Sequence, residues 1–231
     1  MSADATPWTV PGVLTLWCAT LLVLRMERSS SLLYGFLLWN LFLAWIPWLT
    51  ARAFRASSRR RSPRFLRFGW FTLWLLFLPN APYILTDLLH LAPRPPVPLW
   101  YDLALLFSCA GTGLLLGYVS LLEVQGTVEE QLGRMAGWIV AAGSLFLSGF
   151  GIYLGRFLRR NSWDPLTDPA GLFRDISDRL LNPTSYPRTY AVTLIFGIGL
   201  LLGYVALRVA SGNERSLASE SRRTRNLELN P

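Results

Sequence analysis

Five or six long apolar runs, each near the length that crosses a bilayer's ~30 Å hydrocarbon core, dominate this chain of 231 residues. In hydrocarbon no water pairs a free backbone N–H or C=O, so a spanning segment must be a helix or part of a closed barrel. At that length and composition the sequence predicts an all-α polytopic transmembrane bundle of about six spans. Only 16% of residues are charged, against about 25% in soluble domains. The partner implied first is the lipid bilayer itself.

The expected spans are residues 8–24, 32–49, 68–91, 101–122, 135–158 and 189–210. The start, MSADATPWT, has no positive n-region, and its apolar run closes on Arg25-Met26-Glu27-Arg28 without a small-residue cleavage site; it reads as a retained first span. Span three is irregular. Its uninterrupted part, Phe68 to Leu78, covers only about 16 Å, so it must continue through Pro79-Asn80-Ala81-Pro82 into YILTDLLHLA or turn back as a re-entrant segment, and the two prolines should break or kink the helix. Broken helices at membrane depth are tolerated where they are buried in protein or line a cavity. The PRPPVP stretch that follows (93–98) reads as stiff and extended.

Between spans five and six, Asp168-Pro169 has the form of an N-cap with proline at the first helical position. Leu172, Phe173, Ile176 and Leu180 then fall on one face, opposite Arg174, Asp175 and Asp178. This predicts an amphipathic helix lying on the bilayer surface and ending near Asn182-Pro183. Residues 1–210 therefore form a single transmembrane helical domain, and residues 211–231 a polar tail expected to be disordered.

All 22 basic residues are arginine. The absence of lysine excludes Schiff-base and P-loop lysine chemistry. One histidine excludes HExxH and multi-histidine zinc sites, and the two cysteines, Cys18 and Cys109, lie inside apolar runs, so no metal or cofactor set is expected. A net charge of +8 does not imply nucleic acid, because the arginines sit between apolar runs with no folded domain to present them. They report topology instead: thirteen fall on the side of the termini and nine on the other. The positive-inside rule favours both termini in the cytoplasm.

Three spans carry glycines four apart: Gly113 and Gly117, Gly151 and Gly155, Gly199 and Gly203. Such pairs leave a groove for close backbone approach and are expected to serve helix packing. The segments 111–121 and 197–207 match at nine of eleven positions, but the likeness stops there, so packing explains it better than duplication.

With six spans, several polar residues gather at one end. Asp87 and His90 lie beyond the break, Asn80 at it, Asp102 opens span four, and Arg156, Arg159, Asn161 and Asp164 close span five. Tyr83, Asp87 and His90, at i, i+4 and i+7, share a helical face. Structural duties account for many of these: Asp102 can complement a helix N-terminus, Asn80 can cap a half-helix, and Arg159 can anchor at the interface. Arg156, one turn inside its span, requires a partner, and Asp87 or Asp102 is the candidate.

The segments LFLAWIP (41–47), LPNAPYILTDLLHL (78–91), WYDL (100–103) and GIYLGRFLRRNSWD (151–164) resemble an uncharacterised bacterial multi-pass membrane protein family, domain of unknown function 1361. The resemblance implies a bacterial membrane protein and supplies no catalytic residues. Three readings of the polar cluster follow. It binds or transports an anionic lipid headgroup or small anionic solute at the outer face; it belongs to an intramembrane enzyme with Asp87 and His90 as acid and base; or the bundle is structural. The absence of an evident nucleophile counts against the enzyme. Nothing in the residues specifies an oligomeric state.

Overall fold

The structure, a computed structural model, describes residues 9–160 and 164–229. It is an all-helical bundle of α1 (Thr9–Ser29), α2 (Phe36–Arg59), α3 (Arg64–Phe77), α4 (Asn80–Tyr83), a 3₁₀ segment (Ile84–His90), α5 (Leu99–Leu132), α6 (Arg134–Phe157), α7 (Asp164–Thr167), α8 (Pro169–Leu181) and α9 (Pro187–Leu229). Among the described residues, five stretches are long and apolar enough to cross a membrane: α1, the run from Arg64 to His90, α5, α6 and Pro187–Ser211 of α9. The expected second span, α2, has 24 residues, about 36 Å at 1.5 Å per residue, but Asn40, Pro47 and three arginines lower its hydropathy.

Large apolar side chains face outward along the spanning helices: Leu16 is 68% exposed, Phe107 69%, Ile139 65% and Ile195 69%. In water such a surface is a liability; in lipid it is the ordinary outside of a bundle. The chain is a helical membrane protein.

The hub is α5, which packs against α1, α2, α6 and the broken segment. Its 34 residues extend about 50 Å, well past the Leu122 end expected from hydropathy. It stops at Gly133, whose φ of +88° is one that L side chains rarely adopt, and α6 begins at the next residue. One core joins α1, α2, α4 and α5 around Leu22, Leu41, Trp48 and Leu105; a second joins α2, α3, α5, α6 and α9 around Trp74, Leu121, Ile152 and Tyr204.

The prolines break span three as expected. Pro82 has no N–H for the Leu78 carbonyl, which accepts from Ala81 N–H at 3.1 Å instead. The Asn80 amide donates to the Phe77 carbonyl at 2.9 Å, so it reaches back to the end of α3. The chain then tightens into the 3₁₀ segment, where three residues per turn keep Asp87 and His90 aligned at i and i+3. Tyr83, expected on their face through α-helical spacing, packs instead against Gly155 of α6.

The broken segment lies in the glycine grooves. A Cβ on Gly113 would meet the Ala81 carbonyl oxygen and Ile84 Cδ1 at 2.7 Å, and one on Gly117 would meet Ala81 Cβ at 3.0 Å. On α6, a Cβ at Gly151 would meet Pro79 Cβ at 2.7 Å, and one at Gly155 would meet Tyr83 Cε2 at 2.9 Å. The grooves of two helices thus receive the irregular piece of a third. On α9, Gly203 makes room for the Tyr118 hydroxyl, while Gly199 faces open space.

Arg94 to Pro98 form a tight turn, closed by Val97 N–H donating to the Arg94 carbonyl at 3.2 Å, rather than the extended rod expected of PRPPVP. Burial of Val97, 5% exposed, draws the stretch inward. The helix α8 exists as expected: the Asp168 side chain accepts from Gly171 N–H at 3.0 Å, Pro169 takes the first position, and Phe173, Leu180 and Leu181 are exposed.

Candidate functional site

The polar residues form two clusters at one end of the bundle, joined by a tyrosine. In the first, Asp102 in the opening turn of α5 meets Arg25 of α1: Nε to Oδ1 at 2.8 Å and Nη2 to Oδ2 at 3.2 Å. Both side chains are 1% exposed. Arg25 was counted above among the topology-setting charges; here it is buried, paired in the two-pronged geometry that best suits a carboxylate. It also donates to Ser29 Oγ at 3.2 Å and lies 4.5 Å from the Tyr34 ring centroid. Asp102 therefore serves α1 and does not meet Arg156.

Tyr34 is the joint. Its ring supports Arg25, and its hydroxyl donates to the His90 carbonyl at 3.2 Å.

In the second cluster, Asp87 accepts from Asn40 Nδ2 of α2 at 2.8 Å, and its other oxygen stands 3.8 Å from Arg156 Nη1. Arg156 Nη1 is also 3.1 Å from His90 Nε2. A guanidinium has no acceptor, so Nε2 must accept and His90 is neutral with its proton on Nδ1. Phe36 packs edge-on against the imidazole at 5.6 Å. Asp87 is buried and 2% exposed, whereas His90 and Arg94 reach the surface.

The remaining candidates lie apart. Arg159 is exposed and turns the chain out of α6 with φ at +58°, which lets Arg160 N–H donate to the Leu154 carbonyl at 3.1 Å. Arg160 is the residue that works there: it binds Asp168 and Asp175 at 2.7 Å each and Asp164 at 3.8 Å, clasping α8 to the end of α6. These bonds raise Arg160 above its ordinary value, and the Arg160 hydrogen bond holds Asp168 below the usual carboxylate range. Asn161 lies outside the described residues. Among the described residues, no group of three or more His, Cys, Asp or Glu could hold a metal ion.

Arg25, Tyr34, Asn40 and Arg94 complete the site and were not among the residues singled out. Two of them leave a trace in the chain: Asn40 interrupts an apolar run, and Arg25 stands one turn inside the end of α1. Arg94 and Tyr34 lie on turns that bring them in only through the fold.

No curated protein and no solved structure matches this chain. The family described as Protein of unknown function (DUF1361) matches residues 39–202, a stretch holding every residue of the two clusters except Arg25, Ser29, Tyr34 and Phe36. The chain belongs to that family.

Proposed function

We propose that this end of the bundle recognises an anionic group, carried by a lipid headgroup or a small solute, and that the protein binds or transports it. The observation that carries the reading is the unsaturated Arg156. Among the described residues its guanidinium hydrogen-bonds only through Nη1, to a neutral imidazole, and its counter-ion Asp87 stands 3.8 Å away. The Arg25–Asp102 pair nearby supplies the contrast: there the carboxylate takes two donors and the charge is closed off. Arg156 keeps 17% of its side chain exposed, and the exposed Arg94 adds a second cation acting on His90. An anionic oxygen arriving at Arg156 gains a charge-assisted hydrogen bond worth about 1.5–3 kcal/mol.

The arginine distribution supports placing the protein in a bacterial cytoplasmic membrane, with this site at the outer face and both termini in the cytoplasm. Burial of Arg25 against Asp102 removes one of the nine arginines opposing that orientation.

The test is binding by purified protein of phosphatidylglycerol, of phosphatidylcholine, and of soluble glycerol phosphate, read by native mass spectrometry and thermal shift. Arg156→Gln should weaken binding of the anionic ligand about tenfold or more. Selectivity for phosphatidylglycerol over glycerol phosphate assigns a lipid, and the converse a solute. If Arg156→Gln, His90→Gln and Asn40→Ala all bind as the parent does, the site lies elsewhere.

A further inference from the structure

The end of the bundle opposite the Arg156 site carries its own concentration of cations, at the turn between α2 and α3. Backbone alone closes this turn: Arg60 N–H donates to the Ala56 carbonyl at 3.0 Å, Arg61 N–H to Ser58 at 3.1 Å and Ser62 N–H to Ser57 at 2.9 Å. Pro63 stands at the N-cap of α3, and Arg64 opens the helix. Among the described residues, the side chains of Arg60, Arg61 and Arg64 make no hydrogen bond, ion pair or ring contact, and all three are exposed. The fold does not use these guanidiniums, so what they serve lies outside the chain.

The acids nearby do not balance them. The first turn of α3 holds no acidic residue. Glu123 of α5 faces this end of α2, but Arg52, Arg55 and Arg59 already act on it. Glu129 is bound by Arg208 at 3.0 Å, which leaves exposed Glu130 as the remaining carboxylate at this end among the described residues. Cations crowded into one turn repel one another and attract an anion from the surroundings.

Apolar neighbours set the depth of the turn. Phe65, next to Arg64, is 77% exposed, and Phe68, one turn further along α3, is 70% exposed. On the adjoining α5–α6 turn, where Gln131 accepts from Arg67 Nη1 at 3.4 Å, Leu132 and Met135 are exposed as well. Such a patch belongs in hydrocarbon, so the acyl region extends to the first residues of α3. Arg60, Arg61 and Arg64 then stand at the depth of lipid phosphates. Charge alone would orient the chain; the phenylalanines beside it decide what the charge meets. A soluble polyanion would leave them in water.

We infer that the α2–α3 turn gathers anionic phospholipid, its exposed arginines binding the phosphates while Phe65 and Phe68 lie among the acyl chains. This surface shares no residue with the Arg156 site and lies across the ~30 Å hydrocarbon core from it.

The experiment reads lipid at this turn alone. Full-length protein carrying Ser62→Cys is labelled with a bimane; the native cysteines are buried and take no label. It is reconstituted into phosphatidylcholine vesicles holding a minority of nitroxide-bearing phosphatidylglycerol or of nitroxide-bearing phosphatidylcholine. The anionic lipid should quench about twofold more than the zwitterionic one. Salt at about 1 M, where the Debye length is roughly 3 Å, should abolish the excess. Combined Arg60→Gln, Arg61→Gln and Arg64→Gln should abolish it too. Arg156→Gln should leave it unchanged, because lipid held at the other end is too distant to quench the bimane. The inference is overturned if the two lipids quench alike in the parent, or if the excess survives either the salt or the triple substitution. The salt arm leaves the arginines in place, so a misfolded triple variant does not prevent a decision.

Discussion

Arg25 and Asp102 form a two-pronged ion pair, 2.8 and 3.2 Å, in which each side chain is 1% exposed. It joins the end of α1 to the beginning of α5, and neither ion has water to fall back on. Removing one partner strands the other, at a cost of about 3–5 kcal/mol, whereas replacing both with apolar residues of similar size costs far less. Asp102→Asn should therefore destabilise the bundle severely in a detergent unfolding titration. The double change Arg25→Met with Asp102→Leu should recover most of that loss. A double variant as unstable as the single one would mean that the charges do something beyond satisfying each other.

The glycines differ in what a methyl group would strike. At Gly151 it would meet the Pro79 ring at 2.7–2.8 Å, and at Gly113 it would meet backbone at 2.7 Å. Neither a proline ring nor a carbonyl can swing aside, so Gly151→Ala and Gly113→Ala should each cost about 1–3 kcal/mol. At Gly199 nothing lies within 4 Å, and Gly199→Ala should be neutral or gain up to about 1 kcal/mol from helix propensity. Unfolding midpoints of the three variants in one detergent make the comparison. Because the α6 groove seats the segment carrying Asp87 and His90, Gly151→Ala should also weaken anion binding at Arg156.

The class of fold was legible because lipid forces a simple code: continuous apolar runs must be helices, and Pro79 to Pro82 must break one. The amphipathic α8 was legible for the same reason, its cap and face being local. What stayed hidden was pairing across the bundle. Arg156 visibly required an acid, but spacing along the chain could not choose between Asp87 and Asp102, and Arg25, the partner Asp102 takes, looked like a topology marker. Glycine spacing announced grooves without saying what fills them; a broken helix, rather than another intact one, occupies those of α5 and α6. The span expected to end at Leu122 continues as helix to Leu132, and there Gln125 is fully buried and bonds Tyr204 and Glu129.

Asp87 restrains Arg156 from 3.8 Å while Asn40 holds its other oxygen. Asp87→Asn keeps an acceptor for Asn40 and removes the counter-ion. Anion affinity at Arg156 should then rise severalfold, since the incoming group no longer competes with a carboxylate. An enzyme using Asp87 as acid or base would behave differently, losing turnover of a lipid substrate while ligand binding survived. Isothermal titration of the variant with anionic lipid separates the outcomes, and unchanged affinity would remove Asp87 from the site.

The clasp holding α8 titrates in the acid range. Asp168 lies below its ordinary value because Arg160 hydrogen-bonds it, with Gly171 N–H adding to the effect. A carboxylate with a depressed folded value contributes stability that is fully present above its unfolded value, ~3.9, and lost as pH falls through the folded one. Docking of α8 should therefore be unchanged from pH 7 to 5 and should loosen only below about pH 4. A spin label at Ala170, which is exposed, reports this as increased mobility in acid. Asp168→Asn should show that mobility already at pH 7, and a transition centred between pH 5 and 7 would rule out this carboxylate as its cause.

Orientation can be read with the same position. Both native cysteines, Cys18 and Cys109, are buried, so Ala170→Cys adds one accessible thiol on α8 without removing a background label. Asp164, by contrast, is 8% exposed and would under-report. If the α8 end faces outward, an impermeant maleimide should label Ala170→Cys in intact cells as fully as in lysed ones. A cysteine at Arg61, in the turn between α2 and α3 at the opposite end, should react only after lysis. The reverse pattern would place the Arg156 site in the cytoplasm, where the arginine-rich turn should be if positive residues direct insertion.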